Sequence, residues 1–298
     1  MNYTLHQLQV YLMVVKIKSV TKAAEALNMT QPALSIQLKN FQQQFEYPLT
    51  EVIGRKLFVT DFGYKIAEIA ERVINESEEL KYQTKAYGGI VSGKLRISSV
   101  STGKYVIPYF LKGFLDENES VELELDVTNK SLVVESLKNN EIDFALVSVK
   151  PENLDLEEEG LLDNRLYMVS NTPEFDGKRP YIFRENGSAT RAAMDEYLKS
   201  EKVEVTKRME LTSNEAVKQA LIAGLGYSIL PLIGIRNELK NKELFIVNQN
   251  NLPISTEWRL TWLKQKRFSK VAEAYLDYIR KNKTNLIDEN FRWHQELL

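Results

Sequence analysis

The chain has 298 residues, 43% hydrophobic and 27% charged, with 39 Lys and Arg against 41 Asp and Glu. That length suits two or three domains, and the apolar fraction supports folded cores and excludes a disordered chain. There is no cysteine and histidine occurs only at His6 and His294, which excludes disulfides, thiolate chemistry and Cys-ligated metals and leaves little for a catalytic triad.

No metal or cofactor is therefore expected. The net charge of -2 offers no chain-wide basic field, so any nucleic-acid site must be local. The opening MNYTLHQLQVYLMVV lacks a basic leader and a cleavage motif. The longest apolar stretch, 220–235, is interrupted by Gly224, Gly226 and Pro231 and falls short of the roughly 20 residues of a membrane span. A cytoplasmic chain with no membrane partner is expected.

Leu5, Leu8, Leu12 and Val15 recur at helical spacing and predict a first amphipathic helix. Thr21 can cap a short second helix carrying Ala23, Ala24 and Leu27, whose small side chains admit a close neighbour before Asn28-Met29 ends it. Thr30 caps a third, with Pro32 in its first turn and Leu34, Leu38, Phe41 and Phe45 along one face. The other face, Gln31, Ser35, Ile36, Lys39 and Gln42, is polar but nearly uncharged. Such a face suits base edges in a major groove, with phosphates left to neighbouring Lys and Arg. After Pro48, LTEVIGRKLFVTDFG alternates around Gly54-Arg55-Lys56 and predicts a β-ribbon wing whose tip carries Arg55 and Lys56. These elements read as a winged helix-turn-helix, although three short Ala-rich helices also occur in domains that bind no DNA.

From Ile66 onward, Ile66, Ala70, Val73, Ser77, Leu80, Thr84 and Tyr87 follow alternating steps of four and three. This is a heptad seam on a helix from about Tyr64 to Tyr87, ended by Gly88-Gly89. A helix this long predicts pairing between copies of the chain, as a dimer or tetramer. The alternative is a helix packed on its own domain.

Residues 19–63, SVTKAAEALNMTQPALSIQLKNFQQQFEYPLTEVIGRKLFVTDFG, closely resemble the N-terminal signature of LysR-type transcriptional regulators. In that family an Ala-Ala helix, a Gln-Pro-Ala-Leu-Ser recognition-helix start, a Pro-Leu step and a wing ending in Thr-x-x-Gly recur in this order, and the remaining length fits the same layout. Two positions depart from the commonest pattern, Ile36 where a basic or polar residue is frequent and Thr50-Glu51 where Phe-Glu is usual. An apolar Ile36 suits contact with a thymine methyl. The resemblance implies a DNA-binding domain over 1–62 that uses Thr30, Gln31, Pro32, Ser35, Ile36, Lys39, Arg55 and Lys56, then a linker and dimerisation helix over 63–90. It implies an effector-binding domain over 91–298 and double-stranded DNA, a small effector and a second copy of the chain as partners.

Beyond residue 90, LRISSV, VELELDV and IDFALVSV read as strands, with helices over about 104–115 and 131–138. A second set runs through RLYMVS, helices at 188–199 and 214–223, YSILP and a helix after Pro231, before WRLTWLK returns the chain to a helix at 269–281. This alternation predicts an α/β doubly wound sheet with parallel pairing. The resemblance implies two lobes of the periplasmic-binding-protein-like (type 2) fold, lobe I at about 91–161 and 265–298 and lobe II at about 162–264, with ligand in the cleft.

Ligands of open α/β sheets lie beyond the carboxyl ends of the strands. The candidates there are Ser99, Ser101 and Thr102, then Thr128, Asn129 and Ser131, then Ser148; the second lobe offers Ser188, Thr190 and Arg191, with Ser213 and Asn214. Nearly all open helices, whose free N–H groups favour an anion. Ser, Thr and Asn are equally the ordinary helix caps. Convergence of Ser101, Thr102, Thr128 and Ser188 on one small anionic effector is expected, and likeness of the 187–191 and 213–221 segments to regulators of carbon fixation or sulfur assimilation implies a phosphate, sulfate or amino-acid-like ion. Glu157–Glu159 reads as solvated surface, Gly224-Leu225-Gly226 as a tight turn, and the tail from Thr284 as undecided between body and partner. The competing reading is a two-lobed solute-binding protein or enzyme whose first ninety residues serve association only, against which stands the polar stripe Gln31, Ser35 and Lys39.

Overall fold

The computed structural model describes residues 2–54, 56–87 and 90–293, leaving aside the side chains of residues 79 and 81–87. The chain divides into two compact units, residues 1–89 and 90–298.

In the first unit α1 (Leu5–Ile17), α2 (Val20–Ala26) and α3 (Gln31–Gln42) are followed by β1 (Thr50–Ile53), β2 (Lys56–Val59) and α4 (Asp61–Tyr87). A capping box between Thr4 and Gln7 starts α1. Its buried face is Leu8, Val10, Tyr11 and Val14, whereas Leu5 is exposed. The expected Leu5-centred stripe is thus rotated, because α1 packs against α2, α3 and α4 rather than one neighbour. Ser19, not Thr21, caps α2, since Lys18 closes α1 in a left-handed conformation and leaves Ser19 as the first extended residue. Asn28, at φ +53°, makes the turn to α3. Ala23 and Ala24 are fully buried, and Thr30 caps α3 over Leu34, Leu38 and Phe41 as expected.

The β1–β2 hairpin pairs Thr50 with Val59 and Ile53 with Lys56, so Lys56 stands in a strand rather than at the tip. The Thr60 hydroxyl donates to the Pro48 carbonyl at 2.7 Å and accepts from the Gly63 amide at 2.9 Å, starting α4 three residues before the expected Tyr64. Gly63 is needed there. A Cβ would stand 2.1 Å from the Leu49 carbonyl oxygen, while the Gly63 carbonyl accepts from the buried Tyr11 phenol at 2.7 Å. Burial pushes that phenol above its usual range.

In the second unit β3 (Gly93–Val100) pairs in parallel with β4 (Val121–Thr128) and with β5 (Phe144–Val147). A 3-10 turn at Ser101–Tyr105 and α5 (Ile107–Glu117) replace the single expected helix after β3, and α6 (Lys130–Lys138) connects β4 to β5. The long β6 (Leu156–Ser170) then pairs antiparallel with β11 (Ile254–Leu263) along the full length of β11. β11 also pairs antiparallel with β5, and β6 with β9 (Ser228–Pro231) and β10 (Phe245–Ile246). The sheet is therefore mixed, not purely parallel as the alternation suggested. A second parallel ladder that sequence reading missed joins β7 (Tyr181–Arg184) to β8 (Arg208–Leu211); α7 (Ala189–Ser200), α8 (Asn214–Ile222) and the short α9 (Arg236–Lys240) complete this part.

Lobe II is buried on both sheet faces with period two. Leu166 and Met168 of β6 join Phe183, Met194 and Ile229 in one core, while Tyr167 and Val169 join Ile182, Val217 and Leu230 in another. Such strands appear in sequence as continuous apolar runs. The lobe I core takes Leu161 and Leu162 from β6 and Trp258, Leu260 and Trp262 from β11. The chain has thus re-entered lobe I by Trp258, which corrects the expected limit at 264.

The C-terminal helix α10 (Lys270–Phe291), capped by Ser269, runs ten residues past the expected end. Phe291 is buried and stacks on Phe110, and the Arg236 guanidinium lies 4.4 Å over the Trp293 ring. The described part of the tail packs on the body. The Glu157–Glu159 run is not merely solvated. Glu158 pairs with Lys150 and Arg259, and Glu159 with Arg280 and Lys283. Burial alone would raise both carboxyls, but these cations hold them below the ordinary range. No described helix is long and apolar enough to cross a membrane.

Gly63→Ala should destabilise the first unit by about 1–3 kcal/mol, the usual cost of overpacking. The measurement is the thermal midpoint of the isolated transition of that unit in the full chain.

Candidate functional site

Two regions collect the polar groups that sequence reading singled out. On α3, Gln31, Pro32, Ile36 and Lys39 are exposed and Ser35 is half-buried, with Ile36 at 58% exposure. The Gln31 amide donates to the Ser35 hydroxyl at 2.9 Å, so the two side chains are held one helical turn apart on one face. Thr30, the cap, accepts from the Ala33 amide. Gln42 leaves this face, because its carbonyl oxygen accepts from the amide and hydroxyl of Thr50 and ties α3 to the wing. Lys56 is exposed on β2 beside exposed Val52, Ile53 and Phe58; Arg55 lies outside the described residues.

The dimerisation seam is corrected in its first half. Ala70 is 2% exposed and packs with Ala67, Ile66 and Ile74 into the core of its own unit. Alternating steps of four and three fit a helix packed on its own domain as well as a coiled coil, and here α1 covers that turn of α4. Ser77 is half-buried, while Val73 and Leu80 are exposed together with Ile69, Leu80 at 71%. Thr84 and Tyr87 lie on α4 with side chains outside the described set.

In the second unit the hydroxyl-rich set splits. A narrow crevice between the lobes is lined by Thr102, Tyr105, Asn214, Lys218 and Pro231. A separate, open cleft is lined by Lys130, Ser131, Gly187, Ser188, Arg191 and Asp195. Ser99, Ser101, Thr128, Asn129, Ser148 and Thr190 line neither of these two, Ser101 instead accepting from Arg184. The Ser99 hydroxyl donates to the Val100 carbonyl beneath Gly103, where a Cβ would stand 2.1 Å from it. Asn129 caps α6 by accepting from the Leu132 amide, and Ser188 caps α7 by accepting from the Arg191 amide. Ser148 and Thr190 are buried and Thr128 half-buried. The expected convergence of Ser101, Thr102, Thr128 and Ser188 on one concavity is not found: Thr102 lines the crevice, Ser188, which caps α7, lines the open cleft, and Ser101 and Thr128 line neither.

Arg191, expected among the effector ligands, lines the open cleft but is engaged by groups of its own lobe. It pairs with Asp195 at 2.5 Å and Glu210 at 3.1 Å, donates to the Arg184 carbonyl at 2.8 Å and lies over the Phe183 ring. Burial would lower its pKa, and the two carboxylates hold it above the ordinary value. Lys218 is the cation that lines the crevice; behind its Asn214 wall stands a second, Arg184, at the carboxyl end of β7 and 3% exposed. It donates twice to Glu185, at 2.8 Å each, to Asn214 Oδ1, and across the lobes to Ser101 Oγ at 3.3 Å. Asn214 Nδ2 is buried with no hydrogen-bond partner. Lys218 is held by Glu238 and Glu215, which keep it above its ordinary pKa against the lowering effect of burial. The strand-end rule points to Arg184 once YIFR is recognised as a strand. Among the described residues no three His, Asp or Glu side chains gather closely enough to hold a metal.

Residues 5–64 match the family model described as bacterial regulatory helix-turn-helix protein, lysR family, and residues 88–284 match the LysR substrate binding domain. The activator CmpR of Synechocystis is 33% identical over 93% of this chain and 95% of its own length. The regulatory domain of CcmR, also from Synechocystis and solved in complex with 2-PG, superposes with a TM-score of 0.60 at 34% identity, covering 65% of this chain and 99% of that one. The LysR family regulator CbnR superposes with a TM-score of 0.66 at 17% identity over 94% of this chain and 99% of its own, a likeness of fold.

The contacts of Arg191 give it a structural role. Arg191→Met should lower lobe II stability by about 2 kcal/mol, since hydrogen bonds to charged groups contribute about 1.5–3 kcal/mol each and part is recovered by solvation of Asp195 and Glu210. The loss should appear as a lower urea midpoint with unchanged slope.

Proposed function

The chain belongs to the LysR family of bacterial helix-turn-helix regulators, and from that premise we propose how its two units divide the work. As a member it is a ligand-responsive, sequence-specific DNA-binding transcription regulator that works as an oligomer, not an enzyme. It acts on DNA in the cytoplasm. In the first unit, α3 enters the major groove with Thr30, Gln31, Pro32, Ser35, Ile36 and Lys39 toward the bases and backbone, and Arg55 and Lys56 of the wing meet phosphates. The exposed stripe Ile69, Val73 and Leu80 on α4 pairs two copies. In the second unit, lobe I covers about 91–162 and 258–293 and lobe II the residues between.

The effector is a small phosphate-bearing anion held in the inter-lobe crevice by Ser101, Thr102, Arg184 and Asn214. One observation carries this reading: a buried guanidinium that reaches both lobes stands beside an amide nitrogen that has no acceptor. A phosphate presents several acceptor oxygens to such a set. The binding of 2-phosphoglycolate by the CcmR regulatory domain agrees in ligand class.

Gln31→Ala should leave folding intact and cost about 1–3 kcal/mol of discrimination between operator and scrambled duplex. Competition at fixed salt measures it, together with titration of the wild-type complex with 2-phosphoglycolate, inorganic phosphate and sulfate. Retained discrimination refutes the reading face, and an operator affinity unmoved by all three anions refutes the effector class. Leu80→Asp should convert the chain to smaller species in sedimentation, because a carboxylate cannot be buried unpaired between helices. An unchanged mass would remove α4 from the subunit contact.

A further inference from the structure

Arg184 is the last residue of β7, and Glu185 follows where the chain leaves the strand. Leaving the strand frees Glu185 from the alternation that sends neighbouring side chains to opposite faces. It turns back and grips the guanidinium, Oε2 to Nε and Oε1 to Nη2, both at 2.8 Å. The Arg184 side chain is 2% exposed and that of Glu185 19%, so the carboxylate is the accessible member of the pair. Around this fork stand the Ser101 hydroxyl, the Asn214 carbonyl oxygen and the partnerless Asn214 Nδ2.

We propose that Glu185 is a resident competitor for the anion site, occupying the Arg184 fork that an effector oxyanion must take over. Building on the anion-crevice reading above, this assigns Glu185 the control of affinity. Two anions cannot share one guanidinium edge without close like-charge repulsion, so a ligand anion displaces Glu185 rather than joining it. Displacement is favoured for a ligand that reaches what Glu185 leaves unmet. A tethered carboxylate satisfies the Arg184 edge but not Asn214 Nδ2, whereas a phosphate can accept from both. Glu185, already partly exposed, then turns into solvent. Glu185 thereby sets the effector concentration at which the lobes respond, and it acts through Arg184 as a positioning residue.

The test is a double-mutant cycle by calorimetric titration of the full chain with 2-phosphoglycolate and with inorganic phosphate. The four proteins are wild type, Glu185→Gln, Arg184→Met and the double variant. Glu185→Gln keeps the size and one acceptor of the side chain, and circular dichroism with thermal midpoints confirms folding of each variant. Glu185→Gln should bind about tenfold or more tightly than wild type, the scale of one charge-assisted pair removed from competition. In the Arg184→Met background the same substitution should change affinity less than about twofold. Equal gains in both backgrounds would mean that Glu185 acts only as a distant charge, and no gain in the wild-type background would mean that it does not compete. Either result overturns the proposal while leaving the crevice as the anion site. If neither wild type nor Glu185→Gln binds either anion, the crevice reading falls and this one with it.

Discussion

The antiparallel ladder between β6 and β11 is the constraint on which the second unit depends. Both strands are long enough to pass from one lobe to the other, and they stay paired from Ile254 opposite Leu166 to Leu263 opposite Leu156. The lobes therefore share hydrogen bonds instead of hanging on loose linkers. The ladder carries one irregularity, between Trp258 and Arg259, where Leu161 is left over opposite them. A bulge bends and twists a strand locally, and this one lies where the cores change hands, Leu161 and Trp258 on one side and Leu166 on the other. Gly160 sits beside it, with the Glu257 carboxylate in the space a Cβ would fill.

Away from the ladder, the lobes touch through chemically different contacts. Ile233, after β9, is buried in the lobe I core, and Trp293 packs against the cores of both lobes under Arg236. These are apolar or cation-π contacts that tolerate small shifts. The Arg184 contact to Ser101 is polar and partly buried, a single long hydrogen bond at 3.3 Å.

The first unit follows a different economy. Its core is small, and it closes by letting backbones approach at residues with little or no side chain: Ala23 and Ala24 under α3, Gly63 against Leu49. Thr60 bridges the Pro48 carbonyl and the α4 start, so wing and long helix are positioned by one hydroxyl. α3 buries Leu34, Leu38 and Phe41 in that core and keeps Gln31, Ile36 and Lys39 exposed on its other side. The Gln31–Ser35 hydrogen bond orders that face, which lowers the entropy lost when it meets a partner.

Much of this was determined by sequence alone, where the physics is local. The cap Thr30, Pro32 in the first turn, the apolar spacing of α3, the turn at Asn28 and the Gly54 hairpin follow from backbone preferences over a few residues, as do the caps Asn129 and Ser188. The order of domains was legible through the same segments. Tertiary structure alone decided the rest. Ile66 and Ala70 are spaced as well for a partner helix as for α1, and only packing shows that α1 takes them. Strand pairing between residues about a hundred positions apart, as in β6 with β11, leaves no periodic trace, so sequence reading took parallel order from local alternation and missed β7 and β8. The hydroxyls at strand ends were visible, yet a serine that caps its helix and one that faces a ligand have the same sequence signature. Arg184 and Arg191 are both arginines of one short segment, and which is spent on structure and which reaches across the crevice depends on Asp195, Glu210, Asn214 and Ser101, groups brought to them only by the fold.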